Sequence, residues 1–268
     1  MALLPKFDSP PVVETVLGVQ FAPLKNFSVA HAGIFWKERL GESWTKFNDE
    51  HPILDQFEKF EDGGTWRPLG IQLGPADKTF RVQIIEREDE RMIQLQNSRF
   101  VYNWRKRTGE YPSYEKLKPE FQERFGEFRQ FVRQTDLGQL ALNQWEVTYV
   151  NHIPKQGLWS TISDWPEVFP GILGRASIFG ASLDNFSTQW RTVLGESKGR
   201  LYATVRHIRV DGTDGEEMID LTFVARGPVD PSVEEDLERG FELGHSVIVK
   251  TFAELTSEKA HKFWRRTA

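Results

Sequence analysis

The chain contains no cysteine at all. Disulfide bonds, thiolate-bound metal and a cysteine nucleophile are therefore excluded. Histidine is scarce, with six in 268 residues. No two of them have the i, i+3 to i+5 spacing that places a metal-ligating pair on one helix face. There is no basic excess either, the net charge being −5. An acidic total argues against a generic nucleic-acid binder. No run approaches the ~18 apolar residues that a membrane helix needs. Met1-Ala2-Leu3-Leu4-Pro5 is too short an apolar start for a secretory signal, with Asp8 and two prolines following. A cytoplasmic protein with no membrane partner is the expectation. G-x-x-x-x-G-K-[ST] and G-x-G-x-x-G are both missing, so no phosphate cradle and no cofactor are predicted.

What the chain does have is bulk for a core. Twenty Phe and nine Trp accompany a hydrophobic fraction of 39%, a composition far from that of disordered chains. Residues 12–21 alternate as a strand, with Val13, Thr15, Leu17, Val19 and Phe21 on one face. Ser28 is placed to cap a helix running to Trp44, and 48–68 reads as irregular. Three strands are predicted over 69–73, 79–86 and 91–104, the last broken near Asn97. A helix follows over 114–134, where Phe121, Phe125, Phe128 and Val132 make one apolar stripe.

A second series has much the same order. It opens with a strand over 144–152 and a short helix over 158–165. Strands over 187–194, 200–210 and 217–225 come next, joined by turns at 195–199 and 211–215. Asp230-Pro231 is read as the cap of a final helix with its stripe at Val233, Leu237, Phe241, Ile248, Phe252 and Leu255. Thr256 or Ser257 restarts a last helical turn ending at Trp264. The fold class expected is α+β, mainly antiparallel sheet with long helices on one face. It is built from two related strand–helix–strands–helix halves, 1–140 and 141–268, packed as one body.

PPVVETVLGVQFAPL, then Gln94-Leu95-Gln96 running into Phe100, Asn103 and Trp104, resembles a sporadically distributed, functionally uncharacterised prokaryotic family. Tyr111-Pro112, Glu146, Tyr149-Val150-Asn151 and the stretch from His245 to Phe252 fit as well, so the resemblance covers nearly the whole chain. It brings no catalytic residue or cofactor with it. The patchy distribution implies horizontally moving genes, including phage-defence or toxin–antitoxin cargo.

Motifs with chemistry are weighed on their setting. Gly195-Glu196-Ser197-Lys198-Gly199 is a literal G-x-S-x-G, with Asp211 or Asp214 and His245 following in hydrolase order. Strands on both sides make it a hairpin turn instead. The acidic runs 86–91 and 211–217 are polar hairpin ends, without the ligand register of a calcium loop. Gly171–Gly180 lacks the lysine and setting of a nucleotide loop. At the C-terminus, Lys259, Lys262, Arg265 and Arg266 surround aromatic residues and read as a helix end. No catalytic or metal-binding residue is assigned.

The set that could bind something is on the strands. Alternation puts Glu14, Gln20, Gln72, Arg81, Gln83, Gln94 and Gln96 on one side of the first sheet, with apolar neighbours opposite. Glu146, Thr148, Arg191, Tyr202, Arg206 and their neighbours Thr204, Asp220 and Thr222 continue that register. A solvated sheet face is the plain explanation. The functional one is a surface whose amides and guanidiniums grip another protein. Single-stranded nucleic acid held by Arg81, Arg191, Arg206 and nearby aromatics is the alternative. Glu14 and Glu146, at matching points of the two opening strands, should then share one face.

Overall fold

A computed structural model describes residues 3–58, 60, 80–172, 183–195, 198–209, 216–233 and 235–268. Its centre is one antiparallel sheet of nine strands. In chain order these are β1 (Val12–Phe21), β2 (Trp44–Glu50), β3 (Arg81–Glu86), β4 (Arg91–Gln96), β5 (Arg99–Arg105), β6 (Leu142–Pro154), β7 (Ser187–Leu194), β8 (Gly199–Arg209) and β9 (Glu217–Pro228). Across the sheet they lie in the order β2-β3-β4-β5-β1-β6-β9-β8-β7. The helices are α1 (Val29–Arg39), α2 (Tyr114–Gln134), α3 (Asp236–Leu255) and α4 (Glu258–Phe263), with a 3-10 turn over Ile162–Glu167. None of them is long and apolar enough to cross a membrane.

Several boundaries moved, each for a local reason. The first helix ends at Arg39 rather than reaching Trp44, because Gly41 adopts φ +73° and turns the chain. Trp44 then opens β2, an edge strand inside the stretch read as helix and loop. Asp230-Pro231 does not cap the last long helix. The Asp230 carboxylate accepts from the Ser232 backbone N–H, and α3 starts only at Asp236. The short second-half helix is a 3-10 turn displaced to 162–167. The strand expected over 69–73 lies outside the described residues, whereas helix Tyr114–Gln134 and strand Ser187–Leu194 match the expected bounds.

The apolar sides of strands and helices form a continuous buried cluster. Phe121, Phe125 and Phe128 of α2 meet Phe100 at ring separations of 5.3–5.9 Å, and Phe128 also meets Phe21. Trp145 of β6 occupies a cage of four glycines. A Cβ at Gly199, Gly227, Gly240 or Gly244 would fall within 3.0 Å of the indole. Gly240 and Gly244 are one turn apart, so α3 lays a bare backbone stripe on the ring. Beside them His245 stacks on Tyr114 at 3.9 Å, with its Nδ1 2.8 Å from the Tyr149 hydroxyl. Tyr111 in turn donates to Tyr149 at 3.1 Å.

Candidate functional site: the polar sheet face

Strand register decides which side chains share the face opposite this core. In successive rows across β5, β1 and β6 stand Arg99–Gln20–Gln144, Val101–Gly18–Glu146, Asn103–Val16–Thr148 and Arg105–Glu14–Val150. The rows extend outward through Gln96, Gln94, Arg81 and Gln83 on one side. On the other side they reach Arg226, Arg200, Tyr202, Thr222 and Thr204, then Asp220, Arg206 and Arg191. Glu14 and Glu146 therefore do lie on one face. They are not neighbours, however: Glu146 pairs with Gly18, four residues up β1 from Glu14, or about 13 Å.

The face is not bare. From the end of β2 the chain turns back and crosses it as an extended strap, residues 51–58. Gln96 meets Ile53 as a strand partner would: its Oε1 accepts from Ile53 N–H at 2.9 Å and its Nε2 donates to Ile53 C=O at 2.7 Å. Gln20 Oε1 accepts from Gln56 N–H at 3.0 Å, and Gln144 Oε1 from Glu58 N–H at 3.3 Å. Ser98 donates to Asp55 at 2.6 Å. The spacing is physically natural. Five residue steps of extended chain cover about 16 Å, close to the three strand intervals of about 4.8 Å from β4 to β6.

The strap ends in a charge cluster. Glu58 accepts from Arg226 Nε and Arg200 Nη1, both at 2.5 Å, and from the Tyr202 hydroxyl at 2.7 Å. Its side chain is 3% exposed. Burial works to raise this carboxyl, but the Arg226 hydrogen bond and charge, helped by Arg200 and Tyr202, outweigh it and hold it below the ordinary glutamate value. Arg226 also lies over the Tyr202 ring at 4.5 Å and donates to Gln56 Oε1. Arg200 lies over Phe60 at 4.5 Å. Arg99 joins the cluster through Gln20 Oε1 at 2.7 Å and Glu146 at 3.7 Å.

A second network runs beside the strap. Arg81 donates to Gln94, Gln94 to Asn103 and Asn103 to Glu14, at 2.6, 3.0 and 2.7 Å. Arg81 also reaches the His51 carbonyl at the foot of the strap. Glu14 is pushed above the usual carboxylate range because burial outweighs the Asn103 hydrogen bond and the charges of Arg105 and Arg107. Thr148 and Val16 form a half-buried floor next to it.

The expected site residues thus divide. Gln20, Gln96 and Tyr202 touch the strap, while Glu14, Arg81 and Gln94 form the relay, with Gln83 beside Gln94 in register. Glu146 joins the charge cluster, and Thr148 lies on the floor. Arg206 pairs with Asp220 near the far edge, and Arg191 is exposed on edge strand β7. Gln72 lies outside the described residues, as do Ser197, Asp211 and Asp214. The G-x-S-x-G segment joins the antiparallel strands β7 and β8, and His245 is a buried core side chain. Sequence reasoning missed Arg99, Asn103, Gln144, Arg200 and Arg226: alternation carries Glu146 back to Gln144, Tyr202 back to Arg200 and, with one residue more of strand, Thr222 on to Arg226, whereas the turn at 97–98 resets the register for Arg99 and Asn103. Nothing signalled Glu58. Among the described residues no group of three or more His, Asp and Glu side chains could hold a metal ion. No protein-family model, no curated protein and no solved structure matches the chain.

Proposed function

We propose that this is a non-catalytic binding protein whose polar sheet face receives an extended segment of another protein. The observation that carries the reading is the strap: Gln96, Gln20 and Gln144 hold a polypeptide by its main chain. Such contacts recognise extended backbone whatever its side chains, and a nearby charged pocket adds selectivity. The order β1-β5-β4-β3 on one side and β6-β9-β8-β7 on the other supports two related halves that place their opening strands together at the centre. The packing of α2 on Phe100 and of α3 on Trp145 supports long helices on the face away from the strap. A cytoplasmic setting, membership of the sporadically distributed family, and a place in a phage-defence or toxin–antitoxin locus belong to the same proposal.

Single-stranded nucleic acid is the second reading, and the arginines weigh against it. Arg81, Arg99, Arg200, Arg206 and Arg226 already engage carboxylates or amides, and Tyr202 lies under a guanidinium. Charges so neutralised offer little to phosphate, and a covered ring offers no stacking platform.

The test is co-purification of the tagged protein from its native cells in roughly 0.5–1 M salt, a range that weakens phosphate contacts. Thr148→Arg, which adds a long charged side chain to the half-buried floor without touching the core, is run in parallel. A partner retained by the wild type and lost by Thr148→Arg is expected. No partner at all, or one indifferent to the substitution, sinks the reading. Salt-sensitive retention of labelled single strands would replace it with the nucleic-acid alternative.

A further inference from the structure

We infer that the strap is a self-ligand: residues 51–58 occupy a site that takes an extended, carboxylate-bearing segment of a partner protein in their place. The inference rests on the binding reading above and adds where the partner sits, what it carries and what it must displace.

Three observations converge on exchange. The first is how the strap is held. Leu54 and Phe57 are 41% and 59% exposed, and Pro52 is its only fully buried apolar residue. The segment is attached by hydrogen bonds and one carboxylate rather than by core packing, which marks a locally openable unit.

The second is that the strap fits incompletely. Gln96 uses both its amide groups on Ile53, whereas Gln144 uses only its oxygen. Among the described residues, Gln144 Nε2 is buried without a hydrogen-bond partner, and so is Nε of Arg99 in the same row. Gln144 and Arg99 are 3% and 6% exposed. A buried donor without an acceptor carries a desolvation cost that a better ligand removes. A segment whose carbonyl faces Gln144, as that of Ile53 faces Gln96, would meet that need.

The third is the chemistry of the pocket at the strap's end. Arg226, Arg200 and the Tyr202 hydroxyl converge on a single carboxylate. If Glu58 leaves, Arg226 and Arg200 lose a directly bound carboxylate in a largely buried site while Glu146 still acts on Arg226, so the opened site favours another acid over water. The partner's segment is therefore extended, bound through its main chain over β4, β1 and β6, and acidic where it reaches β9 and β8. In the free protein Glu58 competes for that place, and apparent affinity is reduced by the fraction of molecules in which the strap is closed.

The experiment uses the full chain and a fluorescein-labelled peptide of residues 51–58, HPILDQFE, read by anisotropy. Glu58→Gln keeps the size and an acceptor oxygen but removes the charge that closes the strap. This variant is expected to bind the peptide at least about tenfold more tightly than the wild type does. A peptide ending in Gln in place of Glu should lose most of that gain. Equal weak binding by both proteins overturns the inference. Amide hydrogen exchange on the wild type gives an answer even if the variant does not fold. The Ile53, Gln56 and Glu58 amides should exchange at least about a hundredfold faster than those of β1 and β6. Protection equal to that of the central strands would make the strap a permanent part of the fold. Neither measurement needs a cellular partner, so the two proposals fail separately. A partner captured in cells that the peptide cannot displace leaves the binding reading standing and removes this one. A peptide that binds while no cellular partner appears leaves the strap exchangeable but removes the partner, and with it the binding reading.

Discussion

Replacing Gly240 by alanine adds one methyl group to α3, and its effect follows from the cage around Trp145. In an open helix position the change would be favourable, since alanine exceeds glycine in helix propensity by about 1 kcal/mol. Here the new Cβ would stand 2.6 Å from Trp145 Nε1 and closer still to Cδ1, against an optimal separation of about 3.5–4.0 Å. The indole has no room to retreat. It is 2% exposed, and Gly199 and Gly227 press on its far ring carbons. Helix and strand must therefore separate by about 1 Å. At so short a distance the overpacking falls at the upper end of its usual range, about 3 kcal/mol, leaving a net loss of about 2 kcal/mol once propensity is credited. For a chain of this size the midpoint should fall by about 4–8 °C. Gly126→Ala is the internal control, because Gly126 lies in α2 with no atom of the described residues within 4 Å of its would-be Cβ. It should gain about 0.5–1 kcal/mol. Thermal unfolding followed by far-ultraviolet circular dichroism and tryptophan fluorescence measures both. If the two substitutions shift the midpoint in the same upward direction, the close approach of α3 to Trp145 is wrong.

Two further outcomes concern pH. His245 is lowered to about 4 by burial, partly offset by Glu115 and Glu242, so the folded state favours the neutral ring. Its contribution is fully present above about 6.5 and is lost as pH falls towards 4, a change of about 3 kcal/mol. Stability of His245→Gln, measured by urea unfolding between pH 4 and 7, should therefore be flatter than that of the wild type; an unchanged slope contradicts the buried neutral histidine. Glu14 has the opposite sign, because its raised pKa makes its contribution favourable at low pH and progressively lost as pH rises through the folded value. Glu14→Gln keeps an acceptor for Asn103 and should gain stability relative to the wild type more at pH 8 than at pH 4. A gain that is larger at pH 4 would show that Arg105 and Arg107 outweigh burial.

Much of this architecture was legible because it depends on local periodicity. The alternation in 12–21 separates Leu17, Val19 and Phe21 from Glu14 and Gln20, and no other register buries the first set. The Phe stripe of 114–134 fixed the inner face of α2 in the same way. The edge strand β2 was not legible. Its residues 44–50 carry little alternation, five of the seven being exposed, and its pairing with β3 follows only after Gly41 reverses the chain.

The site divides along the same line. Sequence alone determined that amides and guanidiniums would gather on one face of a sheet, since a period of two leaves them nowhere else to go. It could not show that the face is already occupied. The strap has no periodicity to betray it, and its contacts are remote: Gln56 meets Gln20 across 36 positions, and Glu58 meets Arg226 across 168. The first joins a side chain to extended backbone, a pairing for which no sequence pattern exists, and the second joins two side chains that only the fold brings together. Only the nine-stranded sheet, by placing Gln96, Gln20 and Gln144 at strand-spacing intervals, decided where the chain would cross and which carboxylate would meet Arg200 and Arg226.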